Sequence, residues 1–151
     1  MKKVGKNFKS SFMDPKNGAV KRNSWTIAGD ILSSFRYSMQ GITYSFKSQR
    51  NFRIHTFCAV AVFALIIWLK LSLLHTAILV LTVASVLILE LINTAIEAVV
   101  DLSIGPQFHP LAKTAKDCAA AAVLVASINA LLIAFIILVP ALLIHLGFQL
   151  P

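Results

Sequence analysis

The sequence predicts an all-α integral membrane protein, built from an amphipathic surface helix followed by three transmembrane helices. Composition supports this prediction, because 58% of the 151 residues are hydrophobic and only 13% are charged. The mean hydropathy of +0.79 is typical of membrane proteins rather than of water-soluble domains. The apolar residues are gathered in three long runs, each long enough for the roughly 20 residues that a helix needs to cross a bilayer, the first only marginally.

Most of the positive charge lies near the amino terminus, with eleven of the fourteen Lys and Arg residues within residues 1–53. Residues 1–23 lack the apolar segment of a signal peptide and are predicted to form a basic, disordered cytoplasmic tail. Because this charge precedes a membrane span, it indicates contact with anionic lipid and not with nucleic acid.

A surface helix is predicted over residues 24–49. Its apolar positions recur at spacings of 4, 4, 3 and 4, which is typical of one helical face: Ile31, Phe35, Met39, Ile42 and Phe46. Tyr37 and Tyr44 suit the headgroup level of a bilayer, where amphipathic aromatic rings are favoured. The helix is therefore expected to lie along the membrane surface.

Three spans are predicted at about residues 54–74, 76–100 and 115–146, so that residues 24–151 form a single membrane domain. An odd number of spans places the two termini on opposite sides of the membrane. The basic residues of the amino-terminal arm and of the 101–118 loop predict that both segments face the cytoplasm. The carboxyl terminus is then expected outside.

The second span ends in a polar stripe. Three of the six acidic residues of the chain, Glu90, Glu97 and Asp101, lie within twelve positions. At about 100° per residue, these three and Asn93 fall within about 80° of one another on one helical face. Placing a carboxylate at mid-bilayer costs about 2.5 kcal/mol or more, so the stripe indicates function rather than solubility.

This stripe has the parts that phosphoryl transfer requires. Glu90, at lipid depth, suits a base acting on a lipid hydroxyl, whereas Glu97 and Asp101 are placed for Mg²⁺ and nucleotide. Lys116 and Asp117 begin the next helix on the same side. The sequence has neither of the usual glycine-rich phosphate loops. Its four histidines lack metal-ligand spacing and are predicted to be structural or interfacial, with His109 the nearest to the stripe.

Two other classes of protein compete with a kinase. A small channel or proton-conducting subunit would place Glu90 in its path, but would need neither Lys116 nor Asp117 and would consume no ATP with a lipid alcohol. A basic membrane adaptor would leave the acidic stripe unexplained.

The residues of the stripe also match a known pattern. The chain resembles the prokaryotic diacylglycerol kinase family, which includes the undecaprenol kinases, over about residues 30–140. The resemblance is carried by Glu90-x-x-Asn93-Thr94-Ala95-Ile96-Glu97-Ala98-Val99-Val100-Asp101, by His109 and Ala115-Lys116-Asp117, and upstream by Phe35-Arg36-Tyr37-Ser38 and Arg50-Asn51-Phe52-Arg53-Ile54-His55.

The resemblance implies a homotrimeric helical bundle in the bacterial inner membrane, with active sites shared between neighbouring subunits. It implies transfer of the ATP γ-phosphate to a membrane lipid alcohol, with diacylglycerol as the leading substrate and undecaprenol as the alternative. Glu90 would be the general base, Glu97 a ligand of Mg²⁺, and Asn93 a polar supporting residue. The implied nucleotide-binding residues are Tyr37, Glu97, Asp101, His109, Lys116 and Asp117.

One position departs from the pattern of many relatives. A second metal-binding glutamate follows the surface helix in those proteins, and the equivalent residue here is Gln49. Glutamine keeps an oxygen ligand but loses a negative charge. Metal binding by Gln49 is therefore an open expectation.

Overall fold

The computed structural model describes the backbone of residues 24–148, with side chains from residue 31 onward. Four helices follow one another: α1 Ser24–Ser48, α2 Arg50–Trp68, α3 Leu73–Ile104 and α4 Pro110–His145. No strand occurs in this part of the chain, and the predicted all-α membrane fold is confirmed. The predicted tail, residues 1–23, lies outside the described residues.

Three of these helices have the length and apolar composition of membrane spans. α2, α3 and α4 contain 19, 32 and 36 residues. At 1.5 Å per residue they measure about 28, 48 and 54 Å, against a hydrocarbon core of about 30 Å. α2 is therefore just long enough to cross a bilayer, and the two longer helices extend beyond it.

A single residue separates α1 from α2. Gln49 has an extended backbone, with φ −102° and ψ 116°, and helix resumes at Arg50. The joint is braced by Arg53, whose Nη1 donates hydrogen bonds to the carbonyls of Phe46 (3.2 Å) and Lys47 (3.1 Å). These carbonyls lie in the last turn of α1, where helical partners are missing.

The turn between α2 and α3 begins earlier than the predicted end of the first span at residue 74. Lys70 adopts a left-handed conformation, with φ +49°. The N–H of Lys70 bonds to the carbonyl of Ile67, and that of Leu71 to the carbonyl of Ile66. This is the Schellman arrangement, in which glycine is the usual left-handed residue. α3 then starts at Leu73, where the Ser72 hydroxyl accepts a hydrogen bond from the N–H of His75.

The helices of residues 39–151 pack around α3, which contacts α4 extensively and α2 less so. Few apolar side chains of the described residues are buried within one chain: Phe52, Ala59 and Ile66 of α2, Leu79 and Val86 of α3, and Ala119 and Val123 of α4. Many large apolar side chains of all three helices remain exposed. Such an apolar surface fits contact with lipid or with further protein chains.

The described residues divide into two units, one ending at Ser38 and the other beginning at Met39. The first unit includes the part of α1 that contains Tyr37, whose side chain is exposed. The second unit contains the last turns of α1 and all of the apolar helices. The predicted boundary between a tail and a membrane domain after residue 23 stays a prediction.

Candidate active site

The polar stripe of α3 runs from buried to exposed along the helix. Glu90 is only 2% exposed, and Asn93 is also buried. Glu97 is partly buried and Asp101 is exposed. A helix rises 1.5 Å per residue, so Glu90 and Asp101 are separated by about 16 Å along the axis. α3 therefore carries one carboxylate that is shielded from solvent, Glu90, and one that is exposed to solvent, Asp101.

Glu97 is the centre of a three-residue cluster. Its Oε1 accepts a hydrogen bond from Nδ2 of Asn93 at 3.1 Å, and its Oε2 accepts one from Nε2 of Gln49 at 3.0 Å. Asn93 lies one turn earlier on α3, whereas Gln49 approaches from the joint between α1 and α2. The short connection at Gln49 thus brings residues 48 positions apart in the sequence together.

The donor set of this cluster fits Mg²⁺. No group of three or more His, Cys, Asp or Glu residues suited to a metal occurs among the described residues, so a site made only of such ligands is not present there. Mg²⁺ is commonly held by one or two carboxylates together with substrate phosphates. Glu97 supplies the carboxylate, and Oδ1 of Asn93 is buried without a hydrogen-bond partner in the described structure. Rotating the amides of Gln49 and Asn93 would turn their oxygens toward a cation.

His55 of α2 lies beside Glu90, which the sequence did not predict. Its Nε2 lies 3.2 Å from Oε1 of Glu90, although the two atoms are not aligned as a hydrogen bond. The structural or interfacial role predicted for this histidine stays a prediction, but its position on α2 already indicated a buried contact. His55 follows Phe52 by three residues and precedes Ala59 by four, and both of those residues are buried. That spacing was the available signal.

A second group of charges lies where α3 turns into α4. Lys116 Nζ donates to Oδ1 of Asp101 at 2.5 Å, and Lys113 Nζ donates to Oδ2 of Asp117 at 2.9 Å. Ion pairs this exposed contribute little to stability. These two ion pairs place two ammonium groups at the solvent-exposed end of the stripe. Lys113 was not predicted as a site residue, although its spacing of four from Asp117 is typical of a helical ion pair.

These charged residues line a cleft of about 360 Å³. Gly105, with φ +59°, ends α3 and allows the chain to reverse. His109 then caps α4, because its Nδ1 accepts a hydrogen bond from the N–H of Leu111 at 3.2 Å. With Nδ1 occupied as an acceptor, the neutral ring carries its proton on Nε2. The cleft therefore contains two lysines and an imidazole donor.

The structure brings the predicted residues together in two groups within residues 39–151. Gln49, Asn93 and Glu97 form one, and the cleft residues form the other: Asp101, His109, Lys116 and Asp117. Glu90 lies deeper on the same helix, paired with His55. Tyr37 belongs to the first unit of the chain.

The family described as prokaryotic diacylglycerol kinase matches residues 36–138. A diacylglycerol kinase of Synechocystis is 51% identical over 124 residues, covering 82% of this chain and 71% of the relative. An undecaprenol kinase of Bacillus subtilis is 40% identical, covering 74% and 90%. A diacylglycerol kinase of Escherichia coli K12 is 34% identical, covering 68% and 83%. This chain belongs to the prokaryotic diacylglycerol kinase family.

Proposed function

We propose that this protein transfers the γ-phosphate of ATP to the hydroxyl group of a membrane lipid, with diacylglycerol as the substrate and undecaprenol as the alternative. The observation that carries the proposal is the gradient along α3, from buried Glu90 to exposed Asp101. A lipid hydroxyl and a water-soluble nucleotide must meet at the membrane boundary, and the change from a buried to an exposed carboxylate along α3 supports such a position.

Glu90 is proposed as the general base. Its carboxylate takes the proton of the lipid hydroxyl while the hydroxyl oxygen bonds to the γ-phosphorus of ATP. The bond between that phosphorus and the bridging oxygen breaks, and ADP leaves with the electron pair. A base held within hydrogen-bond reach of the proton typically contributes about 100- to 10,000-fold to the rate.

The cleft between α3 and α4 is proposed to hold the nucleotide phosphates. Its lysine ammonium groups and the free N–H of His109 are suited to phosphate oxygens. Asp101 and Asp117 orient those lysines through their ion pairs. Tyr37 is assigned to the nucleotide by family resemblance.

The cluster around Glu97 is proposed to hold Mg²⁺ with the nucleotide, through Glu97, Asn93 and Gln49. The ion supplies positive charge to the phosphate oxygens when it is bound. Glu97 is the one carboxylate of the cluster, and the amides on both sides fix its orientation. Gln49 is a neutral ligand in this proposal, so the phosphates provide much of the negative charge.

A homotrimer with shared active sites is part of the proposal. It is supported by the apolar surface that a single chain leaves exposed and by the family to which the chain belongs. Neighbouring subunits would cover part of that apolar surface and would form one wall of the active site.

A direct test compares two lipids. Purified protein in detergent micelles receives labelled ATP, Mg²⁺ and either diacylglycerol or undecaprenol, and the phosphorylated lipid is quantified. We expect turnover with diacylglycerol to exceed turnover with undecaprenol. The opposite preference would assign undecaprenol as the substrate. The absence of lipid-dependent ATP consumption with both would refute a kinase and favour the channel interpretation.

Orientation in the membrane is proposed from the charge distribution, with the amino terminus and active site in the cytoplasm and the carboxyl terminus outside. Cys58 and Cys118 are exposed and are first replaced by alanine. A membrane-impermeant maleimide applied to intact cells is expected to label Ser72→Cys and to spare Ser103→Cys. Ser103→Cys should react once the cells are permeabilised, which serves as its control. Labelling of Ser103→Cys in intact cells would reverse the orientation and contradict the catalytic proposal.

A further inference from the structure

His55 differs from the other three histidines in what it faces. His75 lies 3.0 Å from the Ser72 hydroxyl, His109 caps α4, and the His145 ring stacks near Trp68 with centroids 4.8 Å apart. Each of these contacts serves a turn or a helix end. His55 instead lies in the first part of α2 with its Nε2 3.2 Å from a carboxylate oxygen of Glu90.

Glu90 has few alternatives to this contact. Its Oε1 is buried and makes no hydrogen bond to any described residue. His55 is also the one basic side chain within 4 Å of Glu90 in the described part of the chain. A buried carboxylate without a donor is costly, since burial removes the water that would otherwise solvate it. A small rotation of the imidazole would align Nε2–H with Oε1.

The surroundings of His55 leave that donor available. The ring borders an apolar cavity of about 210 Å³ between α2, α3 and α4. The two hydroxyl groups of the lining, Thr82 and Ser127, donate to carbonyls of their own helices. Neither hydroxyl is therefore free to donate to Glu90, and most of the other lining residues are aliphatic.

We propose that His55 is a positioning residue for Glu90, an inference that rests on the proposed lipid kinase activity. Nε2–H holds one carboxylate oxygen and thereby directs the other oxygen toward the lipid hydroxyl. The hydroxyl proton moves to Glu90 as the phosphorus–oxygen bonds exchange, and His55 keeps its own proton throughout. Orientation of a base by a third group is a recurring device in enzymes.

The kinetic test uses three variants of the full-length protein. His55→Leu removes the donor and is expected to lower kcat by about 10- to 100-fold, the usual scale for losing an orienting group. The KM for ATP should change by less than about threefold, because the nucleotide residues lie elsewhere. His55→Gln offers an amide N–H at similar reach and should recover most of kcat. His145→Gln, the same change at the opposite end of the bundle, should match wild type.

Coupling to Glu90 is the second kinetic readout. In the Glu90→Gln background, His55→Leu should cause little further loss, because there is no carboxylate left to orient. An equal fractional loss in both backgrounds would overturn the proposal. So would equal loss in His55→Leu and His55→Gln, which would indicate a packing role alone.

A third readout is independent of activity. The ¹⁵N resonances of the His55 imidazole, identified by their absence from His55→Gln, are expected to shift in Glu90→Gln, whereas those of His145 should not move. Unchanged His55 resonances in Glu90→Gln would overturn the proposed contact between His55 and Glu90, even if the protein proved to be an active lipid kinase. A shifted spectrum in a protein that phosphorylates neither lipid would support the contact and refute the proposed function.

Discussion

Replacing Glu90 with glutamine is expected to lower turnover by about 100- to 10,000-fold, the contribution typical of a general base. Glutamine keeps the size of the side chain, so the buried position next to His55 should remain filled. It cannot accept the proton of the lipid hydroxyl. Binding of ATP should survive, because the contacts proposed for the nucleotide phosphates come from residues of the cleft between α3 and α4 and not from Glu90. The measurements are kcat with a lipid acceptor and ATP affinity by calorimetry.

Ser85→Ala is a matched control on the same helix. Its exposed hydroxyl donates only to the Leu81 carbonyl, so its removal should leave turnover at the wild-type level. Near-full turnover in Glu90→Gln, with Ser85→Ala unaffected, would show that another group accepts the proton.

Replacing Glu97 with glutamine is expected to abolish activity or to raise sharply the Mg²⁺ concentration needed for half-maximal activity. The change removes the single negative charge of the cluster that joins Glu97 to Asn93 and Gln49. Mg²⁺ is a hard ion and prefers charged oxygen ligands. Titration of Mg²⁺ at saturating ATP measures the effect.

Gln49→Glu is the complementary change. Its side chain lies 3.0 Å from Oε2 of Glu97, so a carboxylate there would face the same ion. We expect this variant to need less Mg²⁺ than wild type, and we expect it to recover part of the activity lost in Glu97→Gln. Superimposable titration curves for wild type and Gln49→Glu would exclude Gln49 from the metal site.

Apolar runs and helical periodicity in the sequence predicted the three membrane helices and the polar face of α3. Three apolar runs gave the three membrane helices in the correct order, because a bilayer imposes both length and composition on a span. The spacing of Glu90, Asn93, Glu97 and Asp101 placed them on one face of α3, where the structure also has Glu97 bonded to Asn93. Contacts within one helix follow directly from the period of 3.6 residues.

Contacts between helices could not be obtained in this way. The pairing of His55 with Glu90 depends on how α2 is rotated against α3, and periodicity identifies a buried face without identifying its partner. The Schellman turn that closes α2 could not be obtained from the sequence either, because its left-handed position is occupied by Lys70 rather than by glycine. A lysine there gives no turn signal in the sequence.

The one-residue joint at Gln49 has a mechanical consequence. A single residue contributes only two soft backbone dihedrals, so the joint leaves the last turn of α1 few ways to reorient against α2. Arg53 ties that turn to α2, which stiffens the corner further. The corner therefore keeps the Gln49 amide close to Glu97, because both the short joint and the Arg53 hydrogen bonds restrict the backbone there.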